Sequence, residues 1–184
     1  MSGADAGPCI VLIGPMAAGK SSIGRRLASL LEVPFADLDD LVVERDGREI
    51  PDIFAADGEE SFRALEARVL TEALRTHRGV LSLGGGAPMT ASVQPLLRQA
   101  PVALLEIGPE TAARRIGTGT GRPMLRGEDP LQRWTRLAEE RTPTYRALAR
   151  WRIDADRGSV TGLARRLADL IRTPAPTSSG KDRA

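Results

Sequence analysis

Three groups of residues in this 184-residue chain have types and spacings that suit chemistry. The first is Gly14-Pro15-Met16-Ala17-Ala18-Gly19-Lys20-Ser21, a glycine-bounded loop that closes on Gly-Lys-Ser. Backbone N–H groups of such a loop, and of a helix that follows it, converge on one spot and favour an anion. Lys20 adds a full positive charge for the outer phosphates of a nucleoside triphosphate, and the Ser21 hydroxyl can ligate Mg2+ directly. Ala17, Ala18, Gly19, Lys20, Ser21 and Ser22 are the candidate ATP contacts. Lys20 and Lys181 are the only lysines among 26 basic residues, and Lys20 stands where a compact ammonium suits phosphate.

The second group is a pair of carboxylates, Asp37 and Asp39. Enzymes with such a loop usually carry an acid after a buried strand to hold Mg2+ through water. The apolar run Val80 to Leu83 ends in glycines and offers none, so Asp37 is the candidate for ordering the metal's water. Asp39 is then the candidate for the acceptor hydroxyl and for the general base. If the chain stays extended there, alternate residues share a face and both acids point the same way. The alternative is that these acids start a helix, with Asp39 or Asp40 as its N-cap. The sole histidine, His77, falls at a helix end, where it suits the helix dipole rather than proton transfer.

The third group combines glycine with arginine. Gly84-Gly85-Gly86 follows a buried strand and implies close approach of the backbone to a ligand or, alternatively, a tight turn with φ values closed to other residues. Arg63 and Arg141 are candidate anion contacts, and Arg122 lies in the glycine-rich segment 117–127. A flexible lid carrying an arginine places charge on a transferring phosphoryl group only when closed.

The elements that must position these groups follow from periodicity. Cys9 to Ile13 reads as a strand, and Ser22 to Leu31 as a helix with Ile23, Leu27, Leu30 and Leu31 on one side. Val33 to Ala36 is a short strand, Leu41 to Arg45 a helical stretch, and Ile50 to Phe54 a helical turn with Pro51 near its start. Glu59 to Arg75 is amphipathic. Strands follow at 79–83, 102–107 and 151–153, with helices at 93–98, 109–116, 131–149 and 160–171; Pro143 predicts a break in the third of these helices. Strands alternating with helices predict an α/β domain, a five-stranded parallel sheet with helices on both faces. Its ligands belong beyond the carboxyl ends of the strands, where all three groups would share one rim. Residues 1–7 and 173–184 read as flexible termini flanking one domain at 8–172.

Composition narrows the class. No apolar run approaches the length of a membrane span, and one cysteine, Cys9, excludes an intramolecular disulfide. The net charge is +2 with both signs interspersed, and aromatic residues make up 3%, so stacking platforms for nucleic acid are lacking. A soluble, cytoplasmic monomer without nucleic-acid or membrane partners is expected.

From Ile10 to Ile171 the chain resembles the shikimate kinases, small P-loop kinases of aromatic amino-acid biosynthesis. The resemblance rests on GPMAAGKSSIG at 14–24, FADLD at 35–39, EIPDIFAADGEESFRALE at 49–66, SLGGGA at 82–87, RPML at 122–125 and RTPTYR at 141–146. It implies transfer of the ATP γ-phosphoryl group to the 3-hydroxyl of shikimate, with Mg2+ as cofactor. Asp39 would hold the substrate's ring hydroxyls, Asp37 the metal's water shell, and Arg63 and Arg141 the substrate carboxylate. Gly85 would contact substrate through its backbone, Arg122 the phosphates from the lid, and Arg115 the adenine. The chain departs from the family pattern at Ala17 (usually glycine), Leu38 (usually Ser or Thr) and Val160 (commonly proline). Competing readings are another small-molecule kinase of gluconate or nucleotide type, and a kinase-like domain that senses ligands without turnover.

Overall fold

Ile10–Ile13 is buried on both faces, as an apolar run in the middle of a parallel sheet must be. In the computed structural model, which describes residues 7–116 and 129–172, this run is strand β1 at the centre of a five-stranded parallel sheet. The other strands are β2 (Phe35–Asp37), β3 (Val80–Ser82), β4 (Val102–Glu106) and β5 (Trp151–Asp154), in the order β2-β3-β1-β4-β5. The chain leaves β1 for the edge, returns through β3, and then crosses to β4 on the other side. The loop after β1 therefore lies where the winding reverses, the place at which such sheets bind ligands.

Seven helices connect the strands among the described residues: α1 (Lys20–Leu31), α2 (Leu38–Asp46), α3 (Ile50–Thr76), α4 (Gln94–Gln99), α5 (Pro109–Ile116), α6 (Pro130–Leu148) and α7 (Val160–Arg172). Strand alternation divides the core. Ile10, Leu12, Val80, Ala103 and Leu105 face α1 and α7, meeting Ile23, Leu27, Leu163 and Leu167. Val11, Ile13, Leu81, Val102 and Leu104 face the other way, toward Leu38, Phe62, Leu70, Leu97 and Tyr145. Both faces of the sheet are covered, as the alternation of elements predicts.

Several boundaries differ from the sequence reading for physical reasons. The second strand ends one residue later, at Asp37, and α2 begins at Leu38 instead of Leu41 because Asp37 caps it. The two helical segments predicted at 50–54 and 59–75 are present on either side of a kink at Gly58, whose φ 79° and ψ 173° are not helical, and together make up α3. Pro143 does not break α6, which runs through it to Leu148. Proline has no N–H to donate to the carbonyl of Glu139, and its ring crowds that carbonyl, so the helix bears both costs. The expected lid and most of both expected flexible termini lie outside the described residues.

Close approach of β2 to β3 depends on Gly79. A Cβ built there would lie 1.8 Å from the carbonyl oxygen of Pro34, which accepts a hydrogen bond from the Val80 N–H at 2.9 Å. Gly79→Ala must push β2 away, and with it Asp37. Such overpacking is expected to cost about 1–3 kcal/mol, read as a lower midpoint of urea unfolding; an unchanged midpoint would contradict this packing.

Candidate active site

The register of the sheet sets the rim. Asp37 pairs with Ser82, and Ser82 with Leu12, so the ends of β2, β3 and β1 stand level. Beyond β1 only glycine fits at position 14: φ is +142°, and a Cβ would stand 2.4 Å from the Leu105 carbonyl oxygen. The loop then turns through Ala17 at φ 66° and Gly19 at φ 89° into α1. Gly19 is the N-cap of α1, and no side chain caps it. The first-turn N–H groups are thus left for a ligand at the positive end of the helix dipole.

Lys20 and Ser21 open α1. The Lys20 Nζ donates to the carbonyls of Gly14 and Pro15, both at 2.9 Å, so its ammonium lies over the loop. The Ser21 Oγ donates to Asp37 Oδ2 at 2.6 Å. A hydroxyl and a carboxylate in contact at the loop are hard oxygen donors that suit Mg2+, which takes few protein ligands and keeps water and phosphate oxygens. Among the described residues no cluster of three or more His, Cys, Asp and Glu could hold a metal alone.

The two acids do not share an extended strand, as was expected. The chain turns helical at Leu38, and the N-cap is Asp37 rather than Asp39 or Asp40. Its Oδ1 accepts from the Asp39 N–H at 3.3 Å. Capping leaves Asp37 pointing to Ser21 and puts Asp39 in the first turn of α2. Leu38, between them, is fully buried in the core and faces away from the rim.

Gly84, Gly85 and Gly86 lie against three charged side chains from three elements. A Cβ at Gly84 would meet Asp39 Oδ1 at 2.8 Å, one at Gly85 would meet Arg141 Nη1 at 3.3 Å, and one at Gly86 would meet Arg63 Nη1 at 2.6 Å. Arg63, from α3, also lies over the Phe62 ring at 5.2 Å. It donates through Nη1 to Glu66 Oε2 at 2.9 Å. Tyr145, one helical turn after Arg141 on α6, is buried and donates its hydroxyl to the Gly85 carbonyl.

Electrostatics joins these groups into one set. Burial raises the pKa of Asp39, and the neighbouring Asp37 raises it further, while Lys20 and Arg63 oppose the shift. Asp39 is nonetheless an exposed residue, so its desolvation comes from protein on part of its surroundings only. Glu66, 2% exposed, is likewise raised by burial, with Arg63 and Arg141 pulling back and Asp39 adding to the rise. Burial also raises the Tyr145 hydroxyl, against the pull of Arg141.

Of the residues expected from sequence, the structure brings together Ala17, Ala18, Gly19, Lys20, Ser21 and Ser22 in the loop and α1, and Asp37, Asp39, Arg63, Arg141 and Gly84–Gly86 around one rim. Arg115 reaches the loop from α5, donating to the Ala17 carbonyl at 2.9 Å and the Ala155 carbonyl at 3.1 Å. Arg122 lies outside the described residues. Glu66 and Tyr145 were missed as site residues. The only signals were Glu66 three residues after Arg63, one helical step on the same face, and Tyr145 four residues after Arg141.

Known proteins are similar to this chain in sequence and fold. The shikimate kinase family profile matches residues 16–172. A shikimate kinase of Rhodococcus jostii is 46% identical over 149 residues, covering 81% of this chain and 89% of that protein. One from Mycobacterium tuberculosis is 41% identical over 172 residues, covering 94% and 98%. Among solved structures, a shikimate kinase from Acinetobacter baumannii in complex with shikimate superposes with a TM-score of 0.84 at 37% identity, covering 90% and 92% of the two chains.

The raised pKa of Asp39 carries a stability consequence. A carboxyl that binds its proton more tightly when folded stabilises the fold where it is protonated. That contribution is lost as pH rises from the unfolded value, about 3.9, through the higher folded one. At neutral pH the charged Asp39 therefore opposes folding. Asp39→Asn is expected to be more stable than the parent at pH 7 in urea unfolding, with the difference shrinking toward pH 4. A variant equally or less stable at pH 7 would contradict this.

Proposed function

The chain belongs to the shikimate kinase family, an ATP-dependent phosphotransferase family, and on that footing we propose that its acceptor is the 3-hydroxyl of shikimate. The observation that carries the reading is the single charge set at the rim. Lys20 and Arg63 both act on Asp39, and Arg63 and Arg141 both act on Glu66. A phosphate-binding loop thus stands beside one rim carboxylate, Asp39, and two guanidinium groups, Arg63 and Arg141, gathered against Gly84–Gly86. That combination suits a small hydroxylated carboxylic acid better than a nucleotide acceptor.

In this reading the amides of Ala17 to Ser22 and the Lys20 ammonium cradle the donor phosphates. The adenine lies against Arg115, beside Val160, the exposed large hydrophobic of the described residues. Arg63 and Arg141 grip the substrate carboxylate with charge-assisted hydrogen bonds. Glu66 holds Arg63 from behind and Tyr145 fixes the glycine loop through Gly85, so both arginines are oriented before substrate arrives. Asp39 accepts from the ring hydroxyls and receives the proton as the acceptor oxygen attacks. Its raised pKa brings it closer to the working pH of a base, although a loose phosphoryl-transfer transition state asks for little early proton removal. Mg2+ would be held by Ser21 directly and by Asp37 through water, and supplies charge neutralisation for the phosphates when bound. Arg122 adds positive charge at the transferring group. No helix among the described residues is long and apolar enough to cross a membrane; a cytoplasmic enzyme acting as a monomer completes the proposal.

The direct test is coupled ADP release with ATP, Mg2+ and a panel of shikimate, quinate, gluconate and nucleoside monophosphates. Turnover on shikimate is expected; turnover only on another acceptor would overturn the substrate, and binding without turnover would make the chain a sensing domain. Arg63→Ala and Arg141→Ala are each expected to raise KM for shikimate by roughly 10- to 100-fold, the worth of a charge-assisted hydrogen bond, with KM for ATP nearly unchanged. An equal rise in both would place these arginines on the wrong ligand. Arg122→Ala is expected to lower mainly kcat.

A further inference from the structure

Two successive carbonyls of the phosphate-binding loop are held from outside. The Met16 carbonyl accepts from the indole Nε1 of Trp134 at 2.9 Å, and the Ala17 carbonyl accepts from Arg115 Nη1 at 2.9 Å. Arg115 sits in the last turn of α5 and Trp134 in the second turn of α6, and these two helices pack on each other. The loop therefore rests on a two-helix support. Trp134 is 4% exposed, so its indole N–H has to find a protein acceptor, and the one it finds is a loop carbonyl more than a hundred residues away in sequence.

The position of that bond matters because of its neighbour. Ala17 has φ 66°, a left-handed conformation that alanine adopts far less readily than glycine. In a trans peptide the N–H points opposite to the C=O, and the described chain has no cis bonds. Holding the Met16 carbonyl fixes the peptide plane that carries the Ala17 N–H. Holding the Ala17 carbonyl does the same for the Ala18 N–H. The Ala18 N–H is used within the loop, donating to the Pro15 carbonyl at 3.3 Å, so the Ala17 N–H is the amide this support aims toward the donor phosphates.

We propose that Trp134 is a positioning residue for the donor: with Arg115 it holds the left-handed turn at Ala17 and so aims the Ala17 amide at the nucleotide. The proposal rests on nucleotide binding at the loop and adds a residue to that reading. It gives a physical account of how alanine is accepted at a turn suited to glycine, since side chains from two helices supply the constraint.

Trp134→Phe removes the donor and keeps the ring. Titration calorimetry with ADP and Mg2+, without acceptor, is expected to show affinity about fivefold weaker than the parent's, the worth of one neutral hydrogen bond. KM for ATP should rise alike, with KM for shikimate unchanged and the unfolding midpoint lowered only by the loss of one hydrogen bond. In an Ala17→Gly background, where the turn no longer needs support, the same substitution should weaken ADP binding less than twofold, because glycine takes this conformation without steric cost. Unchanged ADP affinity in Trp134→Phe would overturn the proposal. So would an equal loss with and without Ala17→Gly, or a lowered midpoint with both KM values raised alike, which would make Trp134 a packing residue only. A parent protein that binds ADP but does not phosphorylate shikimate would defeat the assigned reaction and leave the ADP comparison to decide this proposal by itself.

Discussion

The rim of this molecule is organised by what is absent at Gly84, Gly85 and Gly86. Three charged side chains, from α2, α3 and α6, converge on the space where three Cβ atoms would otherwise stand. Any side chain at position 84 or 86 would displace Asp39 or Arg63, and one at 85 would crowd Arg141 and Tyr145. The backbone itself then becomes part of the surface, and the Tyr145 hydroxyl anchors it. Close approach at this segment is what lets one carboxylate and two guanidinium groups stand beside a phosphate-binding loop.

The same device operates one strand away. Gly14 passes against the Leu105 carbonyl, and the loop it opens ends at a helix start with no side-chain cap. Backbone groups left without internal partners are costly unless something binds them. Here the first-turn N–H groups are left for a ligand, beside a lysine that donates to the loop carbonyls and a serine that donates to Asp37. The cleft thus concentrates like charges and desolvated carboxylates that oppose folding, against a core of apolar strands covered on both faces. Stability resides in the sheet and reactivity in its carboxyl edge.

The sheet, its parallel connections and the place of the loop were legible because they depend on local signals: apolar runs, helical stripes and glycine spacing. The loop, both aspartates and the three glycines stood out for the same reason, whereas Arg63 and Arg141 stood out through the resemblance to the shikimate kinases. What sequence reasoning missed depends on contacts between distant segments. Asp37 as N-cap required knowing that the chain turns helical at Leu38, a residue placed by burial against β1 and α3. Pro143 carries a strong local signal for a break, which packing of α6 overrides. Glu66 looked like one more acid on an amphipathic helix, and only its 2% exposure beside Arg63 marks it. Trp134 gave no periodic signal, since its partner lies 118 residues away.

A crystal structure of the chain with ADP, Mg2+ and shikimate tests most directly whether the glycine-lined rim and the loop form one donor–acceptor site. The account predicts the shikimate carboxylate within hydrogen-bonding reach of both Arg63 and Arg141, a ring hydroxyl on Asp39, and the ADP phosphates on the amides of Ala17 to Ser22. Shikimate bound with its carboxylate away from both arginines, or lying outside the space bounded by Gly84–Gly86, would contradict it.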